Sequence, residues 1–93
     1  MRIGLGKFFM TGKVTAGSNP VAVFPSSLYL RGGLMLKADS GNAGIIFVGD
    51  SGVTAGNGYP LQPGVPEFFR VDDVSGVFLL ASAGSPKVAW FAV

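Results

Sequence analysis

Leu28-Tyr29-Leu30-Arg31-Gly32-Gly33-Leu34-Met35-Leu36-Lys37 decides how this chain folds. Leu28, Leu30, Leu34 and Leu36 share one parity, while Tyr29, Arg31, Met35 and Lys37 share the other. Side chains alternate across a strand, so this period of two predicts one face on a core and one in water. Gly32-Gly33 marks a bulge or kink between the two halves. Outward from this stretch, strands also fit residues 12–16, 21–24, 45–48, 67–71, 77–82 and 87–92. Gly17-Ser18-Asn19-Pro20, Asp39-Ser40-Gly41-Asn42, Gly56-Asn57-Gly58 and Gly84-Ser85-Pro86 separate them, with residues that preset turns or tolerate positive φ. No stretch carries a helical period. Short strands at regular spacing predict an all-β fold: a single small β-sandwich (jelly-roll-like) or a barrel. Residues 1–10 stand outside this pattern. They read as an N-terminal arm, an extra edge strand or a frayed terminus, leaving residues 11–93 as the β-sandwich domain.

The chain has 93 residues, room for one domain. It contains no Cys and no His. That excludes disulfides, thiolate nucleophiles and zinc–thiolate sites, and removes the commonest general base and metal ligand. Apolar residues make up 48% and charged residues only 13%, about half the usual charged share. Eight Phe, two Tyr and one Trp argue against disorder. A domain of this size buries only roughly 60–65% of its unfolded surface. With so few charges, some apolar surface is left for self-association or for docking onto a larger assembly. The longest apolar runs, 45–48 and 77–81, are far short of the roughly 20 residues needed to cross a bilayer. Lys7 and two Gly interrupt the N-terminal apolar residues, so that segment lacks a signal-peptide core and reads as retained. Arg2, Lys7, Lys13, Arg31 and Lys37 all precede the first acid, Asp39. These bases stand singly and form no nucleic-acid motif, so solvated strand faces explain them better than nucleic acid does.

Three strings imitate catalytic motifs. Gly49-Asp50-Ser51-Gly52 matches the nucleophile sequence of serine hydrolases, but that chemistry requires a His to take the serine proton. A turn in which Asp50 and Ser51 cap backbone amides is the better reading. Asp72-Asp73, adjacent on a strand, would point to opposite faces and cannot flank one bond; an Asx-type turn fits instead. Gly4-Leu5-Gly6 lacks the third glycine and the helix of a dinucleotide loop. Tyr29, Tyr59, Phe69 and Trp90 would serve a glycan-binding module only if they shared an exposed face, and aromatics on strands are more often core. The composition therefore points to no catalytic residue, no metal ligand and no cofactor.

From Thr11 onward the chain resembles a family of small structural proteins of tailed bacteriophages and prophages. The first block that carries the likeness runs from Lys37-Ala38-Asp39-Ser40-Gly41 through Ile45-Ile46-Phe47-Val48-Gly49-Asp50-Ser51-Gly52-Val53-Thr54 to Asn57-Gly58-Tyr59-Pro60-Leu61-Gln62-Pro63-Gly64. The second is Asp72-Asp73-Val74-Ser75-Gly76-Val77-Phe78-Leu79-Leu80-Ala81-Ser82-Ala83-Gly84, closing with Lys87-Val88-Ala89-Trp90-Phe91. Physically, Asn57-Gly58 suits the positive φ of a tight turn, and Pro60 with Pro63-Gly64 suits an extended connection. Val65-Pro66 departs from the family pattern. Pro66 cannot donate to a ladder, so the next strand should start at Glu67 and lie near a sheet edge.

The resemblance implies a non-enzymatic virion structural protein with no cofactor, made in the bacterial host cytoplasm and carried in the virion. Among virion roles, the small size, low charge, apolar surface and N-terminal arm suit a capsid decoration (cement) protein on the capsid surface, bound to the major capsid protein or other virion subunits. A head–tail, baseplate or fibre component is the alternative. A homo-oligomer is expected in either case, with a trimer suggested by the shell role. Arg2, Lys7, Phe8 and Phe9 in the arm are the candidate partner-binding residues, and no membrane partner is expected.

Overall fold

Alternation builds the strands and also places the core. The structure, a computed structural model, describes residues 10–41 and 44–93. Its eight strands are β1 (Met10–Thr15), β2 (Val21–Ala22), β3 (Leu34–Ala38), β4 (Ile46–Gly49), β5 (Tyr59–Leu61), β6 (Glu67–Phe69), β7 (Phe78–Ala81) and β8 (Lys87–Ala92). A 3-10 turn covers Val74–Gly76. Leu34, Leu36 and Ala38 of β3 are buried while Met35 and Lys37 face solvent. Val88, Trp90 and Ala92 of β8 point inward in the same way.

All pairings are antiparallel. β1 pairs with β8, β2 with β7, β3 with β6 and β4 with β5, so the first half of the chain runs against the second as one long ribbon. Two more pairings, β3 with β8 and β4 with β7, roll the ribbon into sheets of order β1-β8-β3-β6 and β2-β7-β4-β5. This is a jelly roll. Among the described residues no ladder joins the sheets, so the fold is a β-sandwich and not a closed barrel. The inner faces form one cluster, with Leu34, Leu36, Val88 and Trp90 from the first sheet and Ile46, Val48, Leu61 and Leu79 from the second. Phe24 meets the Trp90 ring edge-on at 5.7 Å. No polar side chain is buried among the described residues, so apolar burial stabilises this core.

The stretch 28–37 is not one continuous strand. The Tyr29–Asp73 bridge, with Leu30 N donating to Asp72 O and Val74 N to Leu28 O, carries the ribbon between β2·β7 and β3·β6. Gly32 and Gly33 then form the bulge: both amides donate to Val93 O, at 2.7 and 3.0 Å, so two residues oppose one. Gly33 has φ +136°, and a methyl there would collide with the Phe69 carbonyl. Parity survives the bulge, because Leu30 and Leu34 are both buried.

Several expectations are corrected. Met10 already pairs with Ala92, two residues ahead of the strand expected over 12–16, and Ala16 lies beyond the strand's end at Thr15. The strand over 21–24 shortens to two residues, because the chain bends before Pro25, although Val23 N still donates to Val77 O. β5 stands where an extended connection was expected. It is a three-residue edge strand, where Pro60 costs no required hydrogen bond. Asn57-Gly58 takes no positive φ. Gly58 N donates to Thr54 O at 2.8 Å and the Asn57 side chain accepts from Thr54 N. Glycine is required at 58 for space instead: a Cβ would lie 2.6 Å from Phe47 Cβ. The strand after Val65-Pro66 does start at Glu67 and is an edge strand.

Both acidic turns form, the first capped by Asp50. Asp50 Oδ1 accepts from Gly52 N at 2.9 Å. Asp73 Oδ1 accepts from Ser75 N at 3.0 Å, from Ser75 Oγ at 2.9 Å and from Leu28 N at 3.2 Å, capping the 3-10 turn and tying the ribbon's two arms together. The Ser75 amide first, then the Leu28 amide, hold this carboxyl below its ordinary value of 3.8.

Two predictions follow from this packing. Leu36→Ala should cost about 3 kcal/mol in urea unfolding, and its neighbour Met35→Ala less than about 0.5 kcal/mol; equal costs would refute the assigned parity. Asp73→Ala should also unfold more easily than the unchanged protein. Because folding lowers the Asp73 pKa, its contribution is complete above 3.8 and fades as pH falls below that value. The gap in unfolding midpoint should therefore narrow in acid, and a gap that stays constant would exclude the carboxylate as its source.

Candidate binding surface

The register that buries the leucines of β3 also aligns the residues on the outer face of the β1-β8-β3-β6 sheet. Thr11, Phe91, Met35 and Phe68 stand opposite one another, a row crossing all four strands. Phe68 is 53% exposed and Met35 36%. The next row is Lys13, Ala89 and Lys37. Beyond it Thr15 opposes Lys87, and Asp39 joins by donating its amide to Lys87 O at 3.1 Å. The face thus grades from apolar to cationic within two residue spacings.

Small Ala89 between the two lysines leaves a shallow hollow of about 460 Å³, walled by Met35, Phe91 and the lysine stems. A second hollow of about 700 Å³ continues from it past Lys13, Lys37, Asp39 and Lys87. Lys13 Nζ lies 3.6 Å from Asp39 Oδ1, but both side chains are well exposed, so this ion pair is worth at most about 1 kcal/mol. Three lysines and one aspartate leave the face cationic. Long lysine stems can lie along its apolar part while their charges stay in water.

The other sheet differs. Its outer positions, Phe47, Leu80 and Pro60 in one row and Ala22, Phe78 and Gly49 in the next, carry no charge. The turn after β4 folds back over them: Val53 is 3% exposed, outside the main core, packed against Gly49 and Gly58. Phe47, Phe78 and Leu80 are part-exposed.

The aromatics considered for a glycan do not share a face. Trp90 is core, Tyr59 meets Phe69 edge-on at 5.7 Å where the edges of the two sheets come together, and Tyr29 is 75% exposed beside Asp73. A polar hollow of about 520 Å³ lies near Tyr29's neighbours Leu30 and Arg31, with Arg70, Asp72 and Asp73. No group of three or more potential metal ligands occurs among the described residues.

Arg2, Lys7, Phe8 and Phe9 lie outside the described residues. They precede Met10, which enters β1 beside Ala92, at the end of the sheet that holds the Phe91–Met35–Phe68 row. Sequence reasoning missed this row. The alternation of β3 turns Met35 outward, but nothing local joins it to Phe68 and Phe91, which are distant in the chain. Phe68 and Phe69 are identical neighbours, and only pairing with Leu34 sends Phe69 inward. No family model, curated protein or solved structure matches the chain.

Proposed function

We propose that this protein is a structural subunit of a bacteriophage virion, acting as a capsid decoration (cement) protein that sits on the shell and bridges its subunits. The observation that carries the reading is the row formed by exposed Met35 and Phe68 with part-exposed Phe91, bordered by lysines, on a chain of 93 residues. An exposed apolar patch with a polar rim is the usual mark of a protein interface. The likeness of the 37–64 and 72–91 blocks to small phage structural proteins supplies the setting. The jelly roll is compatible with that setting, though one fold serves many roles.

In this role the outer face of the first sheet meets a shell subunit, and Arg2, Lys7, Phe8 and Phe9 are the further candidate contacts. Copies bound around a shell symmetry axis would form the expected homo-oligomer.

The deciding measurement is copy number, by quantitative mass spectrometry of purified particles. About one copy per shell subunit, or per small group of them, is the expected result. A few copies per particle would move the protein to the neck, tail or fibre, and absence from clean particles would end the virion reading. In the same assay Phe68→Ala with Met35→Ala should lower occupancy about tenfold at unchanged thermal stability, since exposed anchors dominate interface energetics and contribute little to the fold.

A further inference from the structure

A sandwich has four sheet edges, and three of these are blunted. β2 has two residues; β5 has three and contains Pro60; β6 has three and follows Val65-Pro66. Short strands and prolines are how natural sheets prevent unwanted pairing. β1 has six residues and no proline, and among the described residues it pairs only with β8.

The direction of its backbone groups can be read from one bond. Ala16 N donates to Pro86 O at 2.9 Å, in the same register as the β1–β8 ladder. Donors alternate along an antiparallel strand, so the even-numbered residues of β1 bond to β8. The amides and carbonyls of Thr11, Lys13 and Thr15 therefore point to the unpaired side. Their side chains are exposed on the lysine-bearing outer face, while Met10, Gly12 and Val14 lie on the inner side and are only half-buried.

The geometry points to β1 as the acceptor of an added strand: an extended segment of another protein in which acidic and apolar residues alternate. Both halves of that pattern come from this face. Apolar residues of the incoming strand would continue the inner layer beside Met10 and Val14, which already pack on the core. Its acidic residues would fall on the outer side, next to Lys13, where Lys13, Lys37 and Lys87 outnumber Asp39. A second copy is the poorer occupant, because two-fold pairing of β1 with β1 brings the lysine rows of both copies together, and like charges across a ladder destabilise it. Strand addition of this kind takes affinity from main-chain bonds and selectivity from alternate side chains. The inference does not require the assembly to be a virion, so either can fail without the other.

The test uses the full chain with two blocked synthetic peptides of about ten residues, one alternating glutamate and valine, the other lysine and valine. Amide exchange is followed by NMR. The glutamate peptide should slow exchange at Thr11, Lys13 and Thr15 at least tenfold, and the lysine peptide should not. Thr11→Pro removes an outward amide without touching the bonds to β8, and should abolish this protection at unchanged melting temperature. Lys13→Glu should reverse the preference between the peptides, which keeps the test decisive should the proline variant fail to fold. No protection, or equal protection by both peptides, would overturn the proposal. So would protection without peptide: dependence on protein concentration would identify a second copy as occupant, and independence the chain's own residues.

Discussion

Everything in this fold depends on the register of β8 between β1 and β3. A slip of one residue would send Val88, Trp90 and Ala92 to solvent and bring Lys87 and Phe91 inside, since the side-chain period of a strand is two. The register is pinned at both ends. At one, the paired amides of Gly32 and Gly33 close on Val93 O; at the other, Ala16 N and Asp39 N reach Pro86 O and Lys87 O. The same register makes both the core and the outer face. The bonds that set Leu36 opposite Trp90 also set Met35 opposite Phe91 and Lys37 opposite Ala89. The outer face is therefore aligned by the same bonds as the core beneath it.

That dependence explains what the sequence revealed. Leu28 to Lys37 and the strand at 87–92 were legible because each carries its alternation locally, and β8 has the bounds its pattern indicates. The Gly-Gly bulge was legible because few other pairs of residues suit that site. β5 was not, because three residues containing a proline become a strand only when β4 lies alongside. Asn57-Gly58 misled for a related reason. The composition of a positive-φ turn is also that of a turn needing a capping amide and an absent side chain, and Phe47, supplied by β4, makes the difference. The candidate surface was less legible still. Its apolar row joins residues from β3, β6 and β8, and its members were visible singly without any sign that they align.

The two outer faces show how unevenly the chain treats its exposed apolar surface. On the β2-β7-β4-β5 sheet, where no outer position is charged, the turn after β4 folds back and seats Val53 over Gly49 and Gly58. Asp50, Thr54 and Asn57 satisfy amides of that turn, so covering the sheet leaves few polar groups unmet. On the β1-β8-β3-β6 sheet no comparable loop covers the Phe68–Met35 row among the described residues. Lysines border it instead, keeping the face soluble without hiding its apolar part. A domain with so small a core gains little by leaving a phenylalanine in water, since burying one is worth about 1.5–3 kcal/mol. The same chain has the means to shield such a surface and uses them on the other side. Among the described residues the uncovered face and the unblunted edge of β1 belong to one sheet, so the two faces of the sandwich are not equivalent.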